Sequence, residues 1–292
     1  MAAGDLITAD GQLEYNGYVL GDDVTTFMTS LTGWEDLPPI DSSNTLRPAS
    51  HGAWVGKKLA GQRILTWSGR FAPEETNEWS TTLSELKQVF TIPPGTTEYA
   101  IAVRTRSDTK IAFGAVTQRA IPMDYAYSYF GANLTIQFEC SDPRLYSLSE
   151  ITVFISMPTD TEDGLDYPLV YPLDYGADEF VSDLNIINEG NAPTPMTLVY
   201  NGPAINPTLV NSTTNQQLGF DISLTETDTL TVNTRTGTVL LNGTADRLYT
   251  RKLTSSPILG FELQPGLNEL HAYADEWESG AGIEITYRDA TL

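Results

Sequence analysis

The stretch 131-GANLTIQFECSDPRLYS-147, close to mid-chain, decides how the rest is read. Its first ten residues alternate. Ala132, Leu134, Ile136, Phe138 and Cys140 point one way; Asn133, Thr135, Gln137 and Glu139 point the other. Period-two alternation of this kind is a strand with one buried face. The strand then runs into Ser-Asp-Pro-Arg-Leu-Tyr. Asp142 can accept a hydrogen bond from the amide two residues on. Pro143 fixes φ and removes a ladder donor. Arg144 offers a planar fork for a carboxylate or carbonyls. Tyr146 has a ring to pack and a hydroxyl to bond. Asp142, Pro143, Arg144 and Tyr146 are therefore expected to form a stiff corner, an interdomain junction where one domain leaves its last strand. Cys140, the only cysteine, lies on the apolar face and reads as a small buried hydrophobe rather than a nucleophile.

Working back toward the N-terminus, Asn16-Gly17 between apolar flanks signals a hairpin. Residues 21–54 form a long irregular stretch, longer than an ordinary connection. Its Phe27, Met28, Leu31, Trp34, Leu37 and Ile40 need a surface to cover them, so an extended arm is expected to wrap its own domain or a neighbouring copy. Residues 62–72 alternate as a strand. A helix is expected over about 74–91. Pro73, Glu74 and Glu75 suit its start, and Trp79, Leu83, Leu86 and Phe90 share one face. Pro93-Pro94-Gly95 ends it. Residues 98–116 form a second hairpin turning near Ser107-Asp108.

Beyond the corner no helical pattern appears. After the strand EITVFIS comes an acidic, Tyr- and Pro-rich loop at 157–180. Short strands follow, with turn signals such as Asn242-Gly243 and Pro265-Gly266 every ~8–12 residues, as in a β-sandwich. The expected fold is mainly β. An N-terminal β-sandwich or α+β domain (1–148) carries the arm and one amphipathic helix. An all-β sandwich (149–292) follows and ends at Leu292 directly after a strand, with no tail expected.

The chain has 292 residues and a formal charge of −22. Residues 1–148 hold 11 basic and 17 acidic groups, net −6; residues 149–292 hold 5 and 21, net −16. Clustered Lys and Arg, which phosphate neutralisation requires, are missing, so specific nucleic-acid binding is not expected. An anionic membrane is an equally poor partner. No apolar run approaches a membrane span. The N-terminus lacks a basic and an apolar region, so no signal peptide is expected. Asn133, Asn211 and Asn242 match the glycosylation sequon and read as strand and turn residues.

Catalytic and metal patterns are missing too. His51 and His271 stand apart from any second histidine at metal spacing. No nucleophile elbow, P-loop, zincin or dinucleotide fingerprint occurs. DTEDGLD (160–166) departs from a calcium loop, with glycine fifth rather than sixth and Tyr171 where the last ligand belongs. Acidic pairs such as Asp22-Asp23, Glu35-Asp36 and Glu74-Glu75 are what 38 acidic residues produce by chance. No enzymatic activity, cofactor or metal is expected. A carbohydrate-binding module is the alternative, drawing on the sandwich half and the tyrosines of 167–175.

The ordered features resemble the distal tail proteins of long-tailed, non-contractile bacteriophages, the siphophage tail-component family. They begin with HGAWVGKKLAGQRILTWSGRF (51–71), an amphipathic helix, and a long strand entering ECSDPRLYS. Next comes 186–243, with its Asn-x-Gly-Asn turn, Gly-Pro step and D-x-L-x-V-N-T hairpin, where Asn233 replaces the family's more usual Asp. FELQPGLNELHAYA (261–274) and the closing IEITYRDATL complete the set. The resemblance covers nearly the whole chain and implies a virion structural protein at the tail tip, made in the host cytoplasm. Its first domain would form a homo-hexameric ring around a channel through which DNA passes unbound. The ring would sit between the tail-tube protein and the tail-associated hub protein. Its second domain would be galectin-like and dock a receptor-binding or other baseplate protein.

Overall fold

A computed structural model describes residues 3–75, 77–106, 108–157 and 182–292. The chain is mainly β and falls into two compact units, Met1–Leu148 with Thr291–Leu292, and Ser149–Ala290. The last two residues thus belong with the first unit. The tyrosines of 167–175, the calcium-like stretch 160–166 and all but residue 157 of the acidic loop lie outside the described residues.

In the first unit β1 (Leu13–Tyr15) and β2 (Tyr18–Leu20) form the Asn16-Gly17 hairpin. Both turn residues have positive φ, 47° and 77°, the twist a two-residue hairpin turn needs. Residues 21–54 are not irregular, which corrects the sequence expectation. Thr26–Thr32 is a strand, β3, and the chain then forms β4 (Ile40–Ser42), β5 (Thr45–Leu46), β6 (Ala53–Trp54) and β7 (Lys58–Ala60). The period-two signal in β3 is blurred because a bulge between Met28 and Ser30 shifts its register.

Next come β8 (Arg63–Phe71), α1 (Trp79–Val89), β9 (Tyr99–Arg104), β10 (Thr109–Ala120), β11 (Ala132–Cys140) and β12 (Leu145–Ser147). The helix begins later than 74. Glu74 lies in a bend and Asn77–Glu78 in a turn, and Glu78 is the N-cap. Its apolar face is as read: Trp79, Leu83, Leu86 and Phe90 are all buried, each contributing about 1.5–3 kcal/mol of apolar burial. The turn joining β9 to β10 is closed by Thr105 N–H donating to the Asp108 carbonyl; Ser107 lies outside the described residues.

The main sheet runs β2-β1-β9-β10-β11-β8-β3. Strand β10 serves three partners, and β12 pairs with it at Lys110 and Ile111. Thr109–Gly114 pairs with β9, and Ala115–Ala120 pairs with β11 across a bulge at Val116/Gln118. Gly114 is the crossover. A Cβ there would lie 2.7 Å from Cys140 Sγ and 2.8 Å from the Glu139 carbonyl. The sheet folds over on itself at a residue without a side chain, and Cys140 fills the space beneath it.

The second unit stacks two antiparallel sheets over one core. The first runs, in spatial order, Ile151–Ser156, Gly282–Tyr287, Met196–Asn201, Thr229–Asn233, Thr238–Leu241 and Ala245–Asp246. The second runs Asp183–Asn188, Gly266–Tyr273, Thr208–Asn211 and Gln216–Gly219. Leu198, Tyr200, Leu209, Phe220, Leu270 and Ile283 are among the side chains fully buried between them.

Candidate functional site

A long hairpin projects from the first unit. β4 pairs with β7 and β5 with β6, in register from Ile40↔Ala60 to Leu46↔Ala53. Gly61 N–H donates to the Pro39 carbonyl at its base, and Arg47 N–H to the Gly52 carbonyl near its tip. His51 sits at that tip. No residue from 39 to 61 is buried. Leu46 is 81% exposed and Val55 86%, with Trp54 and Leu59 more than half exposed. Two-stranded ribbons gain little stability alone, and large apolar groups in the open mark a surface awaiting a partner.

One buried cation anchors the root. Arg63, 2% exposed, donates from Nη1 to the carbonyls of Gly33 (2.6 Å), Trp34 (2.9 Å) and Asp36 (2.7 Å), and from Nε to that of Pro143 (2.7 Å). Burial lowers its pKa and the nearby carboxylates of Asp36 and Glu35 oppose that; the guanidinium stays charged. Gly33, at φ +87°, lets the chain turn here, since a Cβ would lie 2.0 Å from the Ile64 carbonyl.

The six expected arm contacts divide. Phe27, Met28, Leu37 and Ile40 are exposed. Leu31 is half-buried and packs on the unit's own core. Trp34, at 3% exposure, is a core residue of its own unit, and Arg63 binds its carbonyl. Leu46, Trp54, Val55 and Leu59 are exposed as well and were not singled out, because neither NTLRPAS nor GAWVGKKLAG carries a clear period.

The corner is a network of hydrogen bonds centred on Asp142. Arg144 reaches both carboxylate oxygens of Asp142, with Nε 2.8 Å from Oδ1 and Nη2 3.0 Å from Oδ2. Arg144 N–H also donates to Oδ1 (3.1 Å), and the Tyr146 hydroxyl to Oδ2 (2.5 Å). Burial pushes the Asp142 pKa up, but the Arg144 charge and these donors outweigh it and hold the carboxyl below its ordinary value. The Tyr146 ring packs edge-on to Phe113 (5.9 Å), and the Pro143 carbonyl is the one Arg63 binds. Cys140 is fully buried.

In the second unit the quoted motifs are turn staples. Asn188, 1% exposed, donates to the Ala192 carbonyl (2.8 Å) and accepts from Gly190 N–H (3.0 Å). Asn268, fully buried, donates to the carbonyls of Gln264 (2.8 Å) and Gly266 (3.0 Å) and accepts from Gln264 N–H (2.8 Å). Asn233 Oδ1 accepts from the amides of Arg235 and Thr236, a task an aspartate oxygen performs equally. His271 pairs with Asp183 across neighbouring strands. Among the described residues no three His, Cys, Asp or Glu side chains gather as metal ligands, and no helix is long and apolar enough to cross a membrane.

Residues 189–290 match the family model of the siphovirus-type tail component, C-terminal domain. No sequence among curated proteins matches the chain. Among solved structures the fold is similar to the Dit protein (gp 19.1) of phage SPP1, described as a paradigm of the hub adsorption apparatus in phages infecting Gram-positive bacteria. The TM-score is 0.66 at 14% identity, over 97% of this chain and 100% of that one. It is also similar to a chain of the phage P2 baseplate in its activated conformation with Ca, with a TM-score of 0.55 at 11% identity over 95% of this chain and 98% of that one. The same baseplate with Sr gives 0.56 at 11%, over 95% and 98%. Residues 189–290 thus carry the tail-component C-terminal domain on a chain with the SPP1 Dit fold, and together these findings support a siphophage distal tail protein.

Proposed function

We propose that this chain is a ring component of a siphophage tail tip. Six copies of the first unit close around the DNA channel, between the tail-tube protein and the tail-associated hub protein. The carrying observation is the hairpin of residues 39–61, whose apolar side chains are uncovered on a unit with the fold of a phage hub protein. A low content of Lys and Arg suits a channel that DNA must traverse without sticking.

The second unit serves as a galectin-like docking platform for a receptor-binding or other baseplate protein. Tyr249, Leu253 and Leu259 stand exposed in that unit, apolar side chains of the kind such a partner would cover. The corner of Asp142, Pro143, Arg144 and Tyr146 fixes the path by which the chain leaves the first unit. Arg144→Ala is expected to quicken amide exchange at residues 142–148 while each unit keeps its own unfolding transition.

Negative-stain microscopy of the full chain, alone and mixed with tail tubes, tests the ring. Sixfold rings or arcs are expected, free or at tube ends. A chain that stays monomeric over a wide concentration range and never decorates a tube end would refute it.

A further inference from the structure

The connection between β10 and β11, IPMDYAYSYF (121–130), leaves large side chains uncovered on the first unit. Met123 (81% exposed) and Tyr125 (79%) stand in the open, with Tyr129 and Phe130 also exposed. Gathered apolar groups of this size mark a binding surface. Tyr125 and Tyr129 pack ring to ring at 4.7 Å. Phe130 meets Trp79 edge-on at 6.2 Å, and Trp79 packs on Phe71 at 4.8 Å, so the exposed rings rest on the aromatic core. The backbone beneath them is fixed. Asp124 Oδ1 accepts from Tyr127 N–H (3.1 Å). The N–H groups of Tyr129 and Gly131 both donate to the Ala126 carbonyl. Phe130 holds a left-handed φ of 58°, which a bulky residue adopts only where its surroundings impose it.

Three exposed polar side chains stand beside the rings. Asn133 is the register partner of Arg70 across β11 and β8, and its Nδ2 donates to Asp124 Oδ2 (3.1 Å). A Cβ at Gly131 would lie 3.1 Å from Arg70 Nη2 and 3.4 Å from its Nε, so the guanidinium lies against the glycine that follows Phe130. Among the described residues Arg70 donates to no group of the chain, and Asn133 Oδ1 accepts from none. The polar edge thus offers a fork of donors, a carboxylate and an amide oxygen side by side, with their charges balanced. An anionic ligand is disfavoured by the chain's charge of −22 and by Glu74, Glu75 and Glu78 ahead of α1. A neutral sugar matches both halves. Its C–H faces stack on aromatic rings, and its neighbouring hydroxyls both donate and accept. Tyrosines supply such contact area at low entropic cost.

We propose that the Met123–Phe130 connection, together with Arg70, Asp124 and Asn133, is a binding site for a neutral saccharide. A pyranose face lies on Tyr125 and Tyr129, and its hydroxyls bond the Arg70 fork and Asn133 Oδ1. The site belongs to one unit of one chain, so it stands or falls separately from the ring.

Titration calorimetry and saturation-transfer NMR on the full chain test it. The probes are neutral oligosaccharides of glucose, galactose, mannose, rhamnose and N-acetylglucosamine. Binding to at least one is expected, with saturation passing from tyrosine ring protons to the sugar. Tyr125→Ala with Tyr129→Ala should abolish it, and Arg70→Gln should weaken it several-fold. Both rings are exposed, so the double variant should keep the wild-type urea midpoint. Tyr249→Ala, an exposed tyrosine of the second unit, should bind as wild type does. Binding to none of the probes would overturn the proposal, as would binding that survives the double variant. So would a double variant whose only change is a smaller oligomer at equal concentration, because the rings would then be a protein contact.

Discussion

Replacing Arg63 by Met keeps much of the side chain's bulk and removes its donors. Four carbonyls, those of Gly33, Trp34, Asp36 and Pro143, then lose their partner. A buried acceptor left unpaired costs about 1–3 kcal/mol. The carbonyls of Gly33, Asp36 and Pro143 are only part-buried and regain some water, so a total of about 3–5 kcal/mol is expected, a large part of the 5–15 kcal/mol typical of a domain. With a urea slope of about 2 kcal/mol/M, the first unit's midpoint should fall by about 2 M. Tryptophan fluorescence reads this directly, since Trp34, Trp67 and Trp79 are buried in that unit. Arg63→Lys should recover less than half, because one ammonium cannot span root and corner together. Amide exchange in residues 33–38 should quicken in the Met variant while the second unit is unchanged. A midpoint shift below about 0.5 M, on the same slope, or an equal loss in both units, would refute the assignment of Arg63 as the anchor.

Asp142→Asn should change the acid limb of stability. The folded-state pKa of Asp142 is depressed, so its contribution is present above its unfolded value of about 3.9 and is lost as pH falls through the lower folded value. The variant should be less stable at neutral pH yet lose less between about pH 4 and 2, measured by urea titrations across that range. Gly33→Ala should destabilise the root by more than the ~1 kcal/mol of an ordinary glycine replacement, because of its positive φ and the 2.0 Å approach to Ile64; a neutral thermal shift would contradict that geometry. In the second unit, Tyr200→Phe leaves the buried Leu218 carbonyl without the hydroxyl 3.0 Å away and should cost about 1–2 kcal/mol. Calorimetry should place that loss in the second unit alone.

What was legible in the sequence followed from local rules. The alternation of β11, the helix face of Trp79, Leu83, Leu86 and Phe90, and the Asn16-Gly17 turn all report a period or a dihedral fixed within a few residues. The Asp142 amide bond two residues on is of the same kind. What was hidden is non-local. Arg63 looked like one more strand residue, yet its partners lie 27 to 80 positions away. Segment 21–54 looked irregular because β4 and β5 pair with strands beginning at 53 and 58, across a tip with no turn dipeptide. The exposed Tyr125 and Tyr129 could not be told from core aromatics, since composition is the same whichever side of the sheet a ring faces.

The two features read as separate, an arm and a corner, share one side chain. Nη1 of Arg63 fixes the root from which the hairpin projects, and Nε fixes the Pro143 carbonyl within the Asp142–Arg144 corner. Cys140, which precedes the corner, is also the register partner of Arg63. Substitutions should therefore separate into two groups. Arg144→Ala removes the clamp on Asp142 but leaves the root carbonyls bound, so amide exchange in residues 33–38 should be unchanged. Arg63→Met releases root and corner together, so exchange in residues 33–38 should quicken and the corner's acid sensitivity fall in the same variant. If Arg144→Ala quickened exchange at the root as fully as Arg63→Met, the root would depend on the corner's ion pair rather than on the buried guanidinium.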